Sequence, residues 1–149
     1  MGAVLKNVLA AVAAYAAMFA TLFVLFSGMW AVIGADGAFR PDSWEVAGLW
    51  TAASIVLGFA AAVVGGWVCA RLGANSHALF ILMGLIIVLS ILSAMPDAGT
   101  ATGPRPPGVS MFDAMSQARQ PAWLLWANPI VGIIGVWMVG RRLLGSAPK

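Results

Sequence analysis

The stretch Val46–Ala70, VAGLWTAASIVLGFAAAVVGGWVCA, runs for 25 residues without an Asp, Glu, Lys or Arg. At ~1.5 Å per residue a helix of that length reaches ~38 Å, more than the ~30 Å hydrocarbon core of a bilayer. The run does not alternate as a barrel strand would. A helix satisfies every backbone polar group within its own segment, which lipid demands. Three further stretches read the same way: Val8–Ile33, Ala78–Met95 and Ala122–Gly140, none with an acidic or basic residue. Ala78–Met95 is barely long enough, whereas Val8–Ile33 and Val46–Ala70 have length to tilt.

Composition agrees. Of 149 residues, 62% are hydrophobic and 9% charged, against about 25% charged in soluble domains. With a mean hydropathy of +0.95, the chain has too few charges for a water-soluble surface. A soluble enzyme, a disordered tail and a coiled coil are excluded. The basic residues flank apolar runs, so they report membrane orientation and not nucleic-acid binding. The expectation is an all-α, polytopic membrane protein forming one domain over residues 1–149. Four transmembrane helices would form an antiparallel bundle with outer loops at about 34–45 and 96–121. Lys6 and Ala14-Tyr15-Ala16 resemble a cleavable leader, but the apolar run continues well past them, so the first stretch reads as a retained span.

Lys6, Arg71, Arg141, Arg142 and Lys149 fall on one side of these spans with no acid. Asp36, Arg40, Asp42, Glu45, Asp97, Arg105, Asp113 and Arg119 fall on the other. The positive-inside rule places both termini in the cytoplasm. Trp30, Trp44, Trp50, Trp123 and Trp126 gather at the expected outer ends, and Trp67 and Trp137 near the inner ends, as headgroup anchors do.

Between the second and third spans Gly73 is expected in the left-handed conformation that ends a helix. Asn75 or Ser76 is placed to cap the next one. In the last outer loop, Gly99, Gly103, Pro104, Pro106, Pro107 and Gly108 forbid a helix. Ser110 and Asp113 form a capping pattern for a short surface helix, with Met111, Phe112, Met115 and Ala118 on one face. Val63–Arg71 also aligns without gaps to Ile133–Arg141, seventy residues on, sharing Gly, Trp and Arg. Two helices ending at the same membrane face explain this more simply than a repeat does.

Reactive side chains are few. One His and one Cys cannot build a zinc site, so no metal or cofactor is expected. His77 reads as an interfacial residue, with a cofactor role as the alternative. Cys69 continues a row of small residues. No carboxylate, lysine or arginine lies inside a span, which speaks against proton relays. Ser90 stands ~20 Å along a helix from His77, too far for a nucleophile and its base. No catalytic residue is assigned. Asn128-Pro129 breaks the hydrogen bonding of the fourth span and marks a packing kink or a ligand site. The firmest motif is steric: Ser54, Gly58, Ala62, Gly66 and Ala70 recur every four residues beside Gly65. Such faces pack closely in lipid, and the ridge Ala10, Ala13, Ala14, Ala17, Ala20 and Thr21 of the first span is their expected main partner.

Gly65-Gly66-Trp67-Val68-Cys69-Ala70-Arg71, followed by His77-Ala78, resembles a pattern of small uncharacterised bacterial inner-membrane proteins: GG-aromatic-x-x-A-R, a short turn, then His-Ala. The resemblance implies a four-helix, multi-pass protein of that membrane and no particular activity. Two functions suit these features. One is a non-enzymatic accessory or structural protein that packs against other membrane helices, its own copies or a larger complex. The other is a small channel or carrier for a small or lipid-like molecule, with Asn128 and Pro129 at its site.

Overall fold

The computed structural model describes residues 2–73, 75–93 and 103–145. Over them the protein forms five helices: α1 Ala3–Ala38, α2 Gly48–Leu72, α3 His77–Ser93, α4 Met111–Gln117 and α5 Ala122–Gly145. Helices α1, α2 and α5 are long and apolar enough to cross a membrane. Helix α3 is apolar but has 17 residues, about 26 Å of rise. The last two residues expected in that span, 94 and 95, lie outside the described residues.

Helix α1 exceeds its expected span at both ends. The loop foreseen from residue 34 is still helical to Ala38, with one break at Gly34, where φ is 59° and ψ is −168°. Only glycine adopts that geometry without strain. The break swings the final turn of α1 away from the axis and starts a cap at this end of the molecule.

The cap is built from the two outer loops. The Arg40 amide donates to the Glu45 carbonyl at 2.9 Å, Ala47 to Ala38 at 2.8 Å and Arg119 to Trp44 at 2.8 Å. Single bridges join Phe39 to Val46 and Glu45 to Arg119. Such isolated pairs need no alternating run, so periodicity cannot announce them. Ala38, Phe39, Trp44, Val46 and Ala114 form a small core under the cap. The expected surface helix is present as α4. The Ser110 hydroxyl accepts from the Asp113 amide at 3.2 Å and donates to its carboxylate at 2.6 Å. Its packed residue is Ala114, however, while Phe112 and Met115 are 71% and 60% exposed.

Aromatic rings divide into two groups. Trp123 and Trp126 are exposed, as anchors would be. Trp44 is instead buried edge-on to Phe39, and Trp30 meets both Phe39 and Trp50 edge to face. At the opposite end Arg71 lies 5.2 Å from the Trp67 ring and Arg141 4.8 Å from the Trp137 ring. In both segments of the seventy-residue echo, a cation thus covers the indole one turn before it.

Helix α2 sits between α1 and α5. Gly65 faces Met18 and the Ala14 carbonyl of α1, whereas Gly66 faces the Val136 backbone of α5, and Gly135 of α5 meets Ala62. The expectation that the α1 ridge is the main partner of Gly58, Ala62 and Gly66 is therefore corrected. Adjacent residues point about 100° apart around a helix, so Gly65 and Gly66 serve different neighbours. On α1, Ala10, Ala11 and Ala14 are buried, while Ala13 and Ala20 are exposed. Leu79 and Ile86 of α3 pack on Gly140 and Gly132 of α5.

At the turn end Gly73 is extended, with φ −67° and ψ 156°, not left-handed. Its missing Cβ matters for space: one would lie 2.8 Å from the Ala78 Cβ. The expected cap is Asn75, whose Oδ1 accepts from the His77 amide at 3.0 Å.

Candidate functional site

Below the cap, between α1, α2, α3 and α5, the structure forms a half-open chamber of about 430 Å³, within the range of small-molecule sites. One wall is α1, which presents Tyr15, Phe19, Phe23, Phe26 and Trp30 at spacings of four, four, three and four residues. Those spacings keep the rings on one helical face. Trp50, Ser54 and Gly58 of α2 form a second wall, and Asn128, Pro129 and Gly132 of α5 a third. Ile86 and Ser90 of α3 close a corner, and Phe39 with Met111, Ala114 and Met115 forms the roof.

The small residues have a second use here. Gly58 has nothing within 4 Å of the place a Cβ would occupy, so its bare surface opens the chamber instead of seating a helix. The Ser54 hydroxyl is already committed, donating to the Trp50 carbonyl at 2.7 Å. Asn128 is different. Its Oδ1 is buried and has no hydrogen-bond partner, an arrangement that costs about 1–3 kcal/mol when left unmade. Despite the proline beside it, which removes one backbone donor, α5 continues as one helix through Gly145.

Nothing resembling this protein explains the chamber. No family model matches the chain, and neither a curated protein nor a solved structure does.

The roof is held by a second buried polar group. Arg105 is 7% exposed along its side chain and donates to Asp36 Oδ1 at 2.8 Å, with its guanidinium 5.7 Å from the Phe39 ring. Asp36 belongs to the turn of α1 beyond the Gly34 break, so this pair ties the last loop to the displaced end of α1.

The sequence-derived candidates fall into three places. Ser54, Gly58, Asn128 and Pro129 come together in the chamber. Ala62, Gly65 and Gly66 lie in the helix seams, with half-buried Ala70 continuing the row. His77 is exposed at the turn end, its Nδ1 3.0 Å from Asn75 Oδ1. The same oxygen accepts from Asn7 Nδ2 at 2.8 Å; Asn7 is 4% exposed and went unnoticed because it precedes the first apolar run. Among the described residues no group of three His, Cys, Asp or Glu gathers to hold a metal. The α1 aromatic face was also missed, because it lies in a helix that is apolar all round.

Proposed function

We propose that the chain is a non-enzymatic, four-span membrane protein that binds a small lipid-like molecule in this chamber, as a carrier does. The observation that supports it is the chamber itself: aromatic walls, a buried Asn128 side-chain oxygen without a hydrogen-bond partner, and a roof tied down by Asp36 and Arg105. The charge distribution puts both termini in the cytoplasm and the roof outside, and the resemblance noted above suits a bacterial inner membrane. Helix α3 is the fourth span in this reading, in an antiparallel bundle.

The accessory reading drew on small-residue faces. Those of α2 are used within the chain, but Ala13, Ala16, Ala20 and Gly28 leave an exposed small-residue strip on α1. That strip favours association with another membrane helix as a second function.

The test uses protein purified in mild detergent and extracted into organic solvent for mass spectrometry. Wild type should carry an enriched amphiphile near one per chain, and Gly58→Phe, which fills the chamber, should lose it. An extract with no enriched molecule, or equal retention by Gly58→Phe, contradicts the proposal. A stoichiometric protein partner would support the second function.

A further inference from the structure

We propose that the chamber selects an uncharged amphiphile and holds it by one hydroxyl or N–H group donated to the side-chain oxygen of Asn128. The inference rests on the reading of the chamber as a binding site and adds the chemistry of its occupant. Among the described residues, none lining the chamber is Asp, Glu, Lys, Arg or His. A charged headgroup brought there would give up hydration with no charged lining residue to replace it, which is costly in an apolar site, and Arg105, against Phe39 of the roof, is already paired with Asp36. A fatty carboxylate, a phosphate or an ammonium is therefore disfavoured.

The body of the ligand follows from the wall and the volume. Phe19, Phe23, Phe26, Trp30 and Trp50 present ring faces and edges, which accept an aromatic or aliphatic skeleton. About 430 Å³ equals about 14 water volumes of ~30 Å³ each. That is room for one ring with a short tail.

Among the described lining residues Tyr15, Ser90 and Gln120 also bring polar groups, but only Asn128 has a buried atom without a partner. The Ser54 hydroxyl is bonded to the Trp50 carbonyl, whereas Asn128 Oδ1 has no donor. The terminal torsion of an Asn side chain is soft, so the amide turns to meet a ligand. A hydroxyl supplies the donor that the oxygen lacks, and a methyl ether of the same shape does not.

Three probes separate these elements at pH 7: 4-hexylphenol, neutral with a donor; 4-hexylanisole, neutral without one; and 4-hexylbenzoate, charged. Binding is titrated by tryptophan emission and calorimetry on the full chain in detergent, with wild type, Gly58→Phe, Asn128→Leu and Asn128→Ala. The phenol should bind wild type about fivefold more tightly than the anisole, the size of effect one neutral hydrogen bond gives. The benzoate should bind at least tenfold more weakly than the phenol. Asn128→Leu should equalise phenol and anisole, and Asn128→Ala provides the same comparison if the leucine variant fails to fold. Equal binding of phenol and anisole to wild type, both lost in Gly58→Phe, overturns the role of Asn128 but leaves the chamber as a site. Tightest binding of the benzoate overturns the selection for neutral ligands. Binding of all three unaffected by Gly58→Phe overturns the chamber reading, and this inference falls with it.

Discussion

A methyl group on Gly66 would lie 2.7 Å from the Val136 carbonyl oxygen and 2.9 Å from its Cα, and neither atom can rotate away. On Gly65 it would meet chiefly the Met18 side chain, which is unbranched and adaptable. On Gly58 it would meet nothing within 4 Å. Gly66→Ala should therefore cost about 1–3 kcal/mol, as overpacking does, and Gly65→Ala less. Gly58→Ala should be neutral or gain up to about 1 kcal/mol from helix propensity. Thermal unfolding in detergent checks the order, and a wild-type melting point for Gly66→Ala would refute the α2–α5 seam. The four-residue spacing of Ser54, Gly58, Ala62 and Gly66 was legible as a bare face. Spacing describes one helix alone, however, and does not say whether the space opposite holds α5, as at Gly66, or a chamber, as at Gly58.

Among the elements, the end of α1 and the cap carry the strain and the fastening. The Gly34 break has a φ of 59°, so Gly34→Ala should strain this turn and destabilise the cap. The Asp36–Arg105 pair is uneven: the Asp36 side chain is 97% exposed and that of Arg105 7%. Water screens the acid, so Asp36→Asn should weaken the cap by less than about 1 kcal/mol. Arg105→Ala also removes the guanidinium from Phe39 and should do more. Hydrogen exchange over residues 103–121 reads both, with faster exchange in the order wild type, Asp36→Asn, Arg105→Ala. Exchange unchanged in Arg105→Ala would show that the pair does not hold the roof. The cap is also where sequence reading ran out. Helix α4 was visible through Ser110 and Asp113, which bond locally. The links of Ala47 to Ala38 and Arg119 to Trp44 join backbone atoms of irregular loops and leave no pattern in side chains. The stripe from Tyr15 to Trp30 was hidden differently: nearly every residue of α1 is apolar, so no polar face sets it off.

For the molecule as a whole, the account is a set of apolar helices closed at one end by an Asn-capped turn and at the other by a roofed chamber. The proposed orientation, with both termini in the cytoplasm, rests on five basic residues on one side against three on the other. An alkaline phosphatase fused after Lys149 should stay inactive and one inserted near Gly103 should be active, and the reverse would turn the chamber toward the cytoplasm. At the turn end Asn7, Asn75 and His77 are joined through one amide oxygen, and the proposed binding site lies at the other end, in the chamber. The most direct test is photolabelling of the purified chain with a diazirine-bearing alkylphenol, followed by peptide mapping. The account predicts adducts on α1 between Tyr15 and Trp30, on the segment around Asn128 and on the Met111–Met115 roof, all displaced by excess 4-hexylphenol. Adducts spread over lipid-facing residues such as Val4, Val32 and Phe80, undiminished by the competitor, would contradict it.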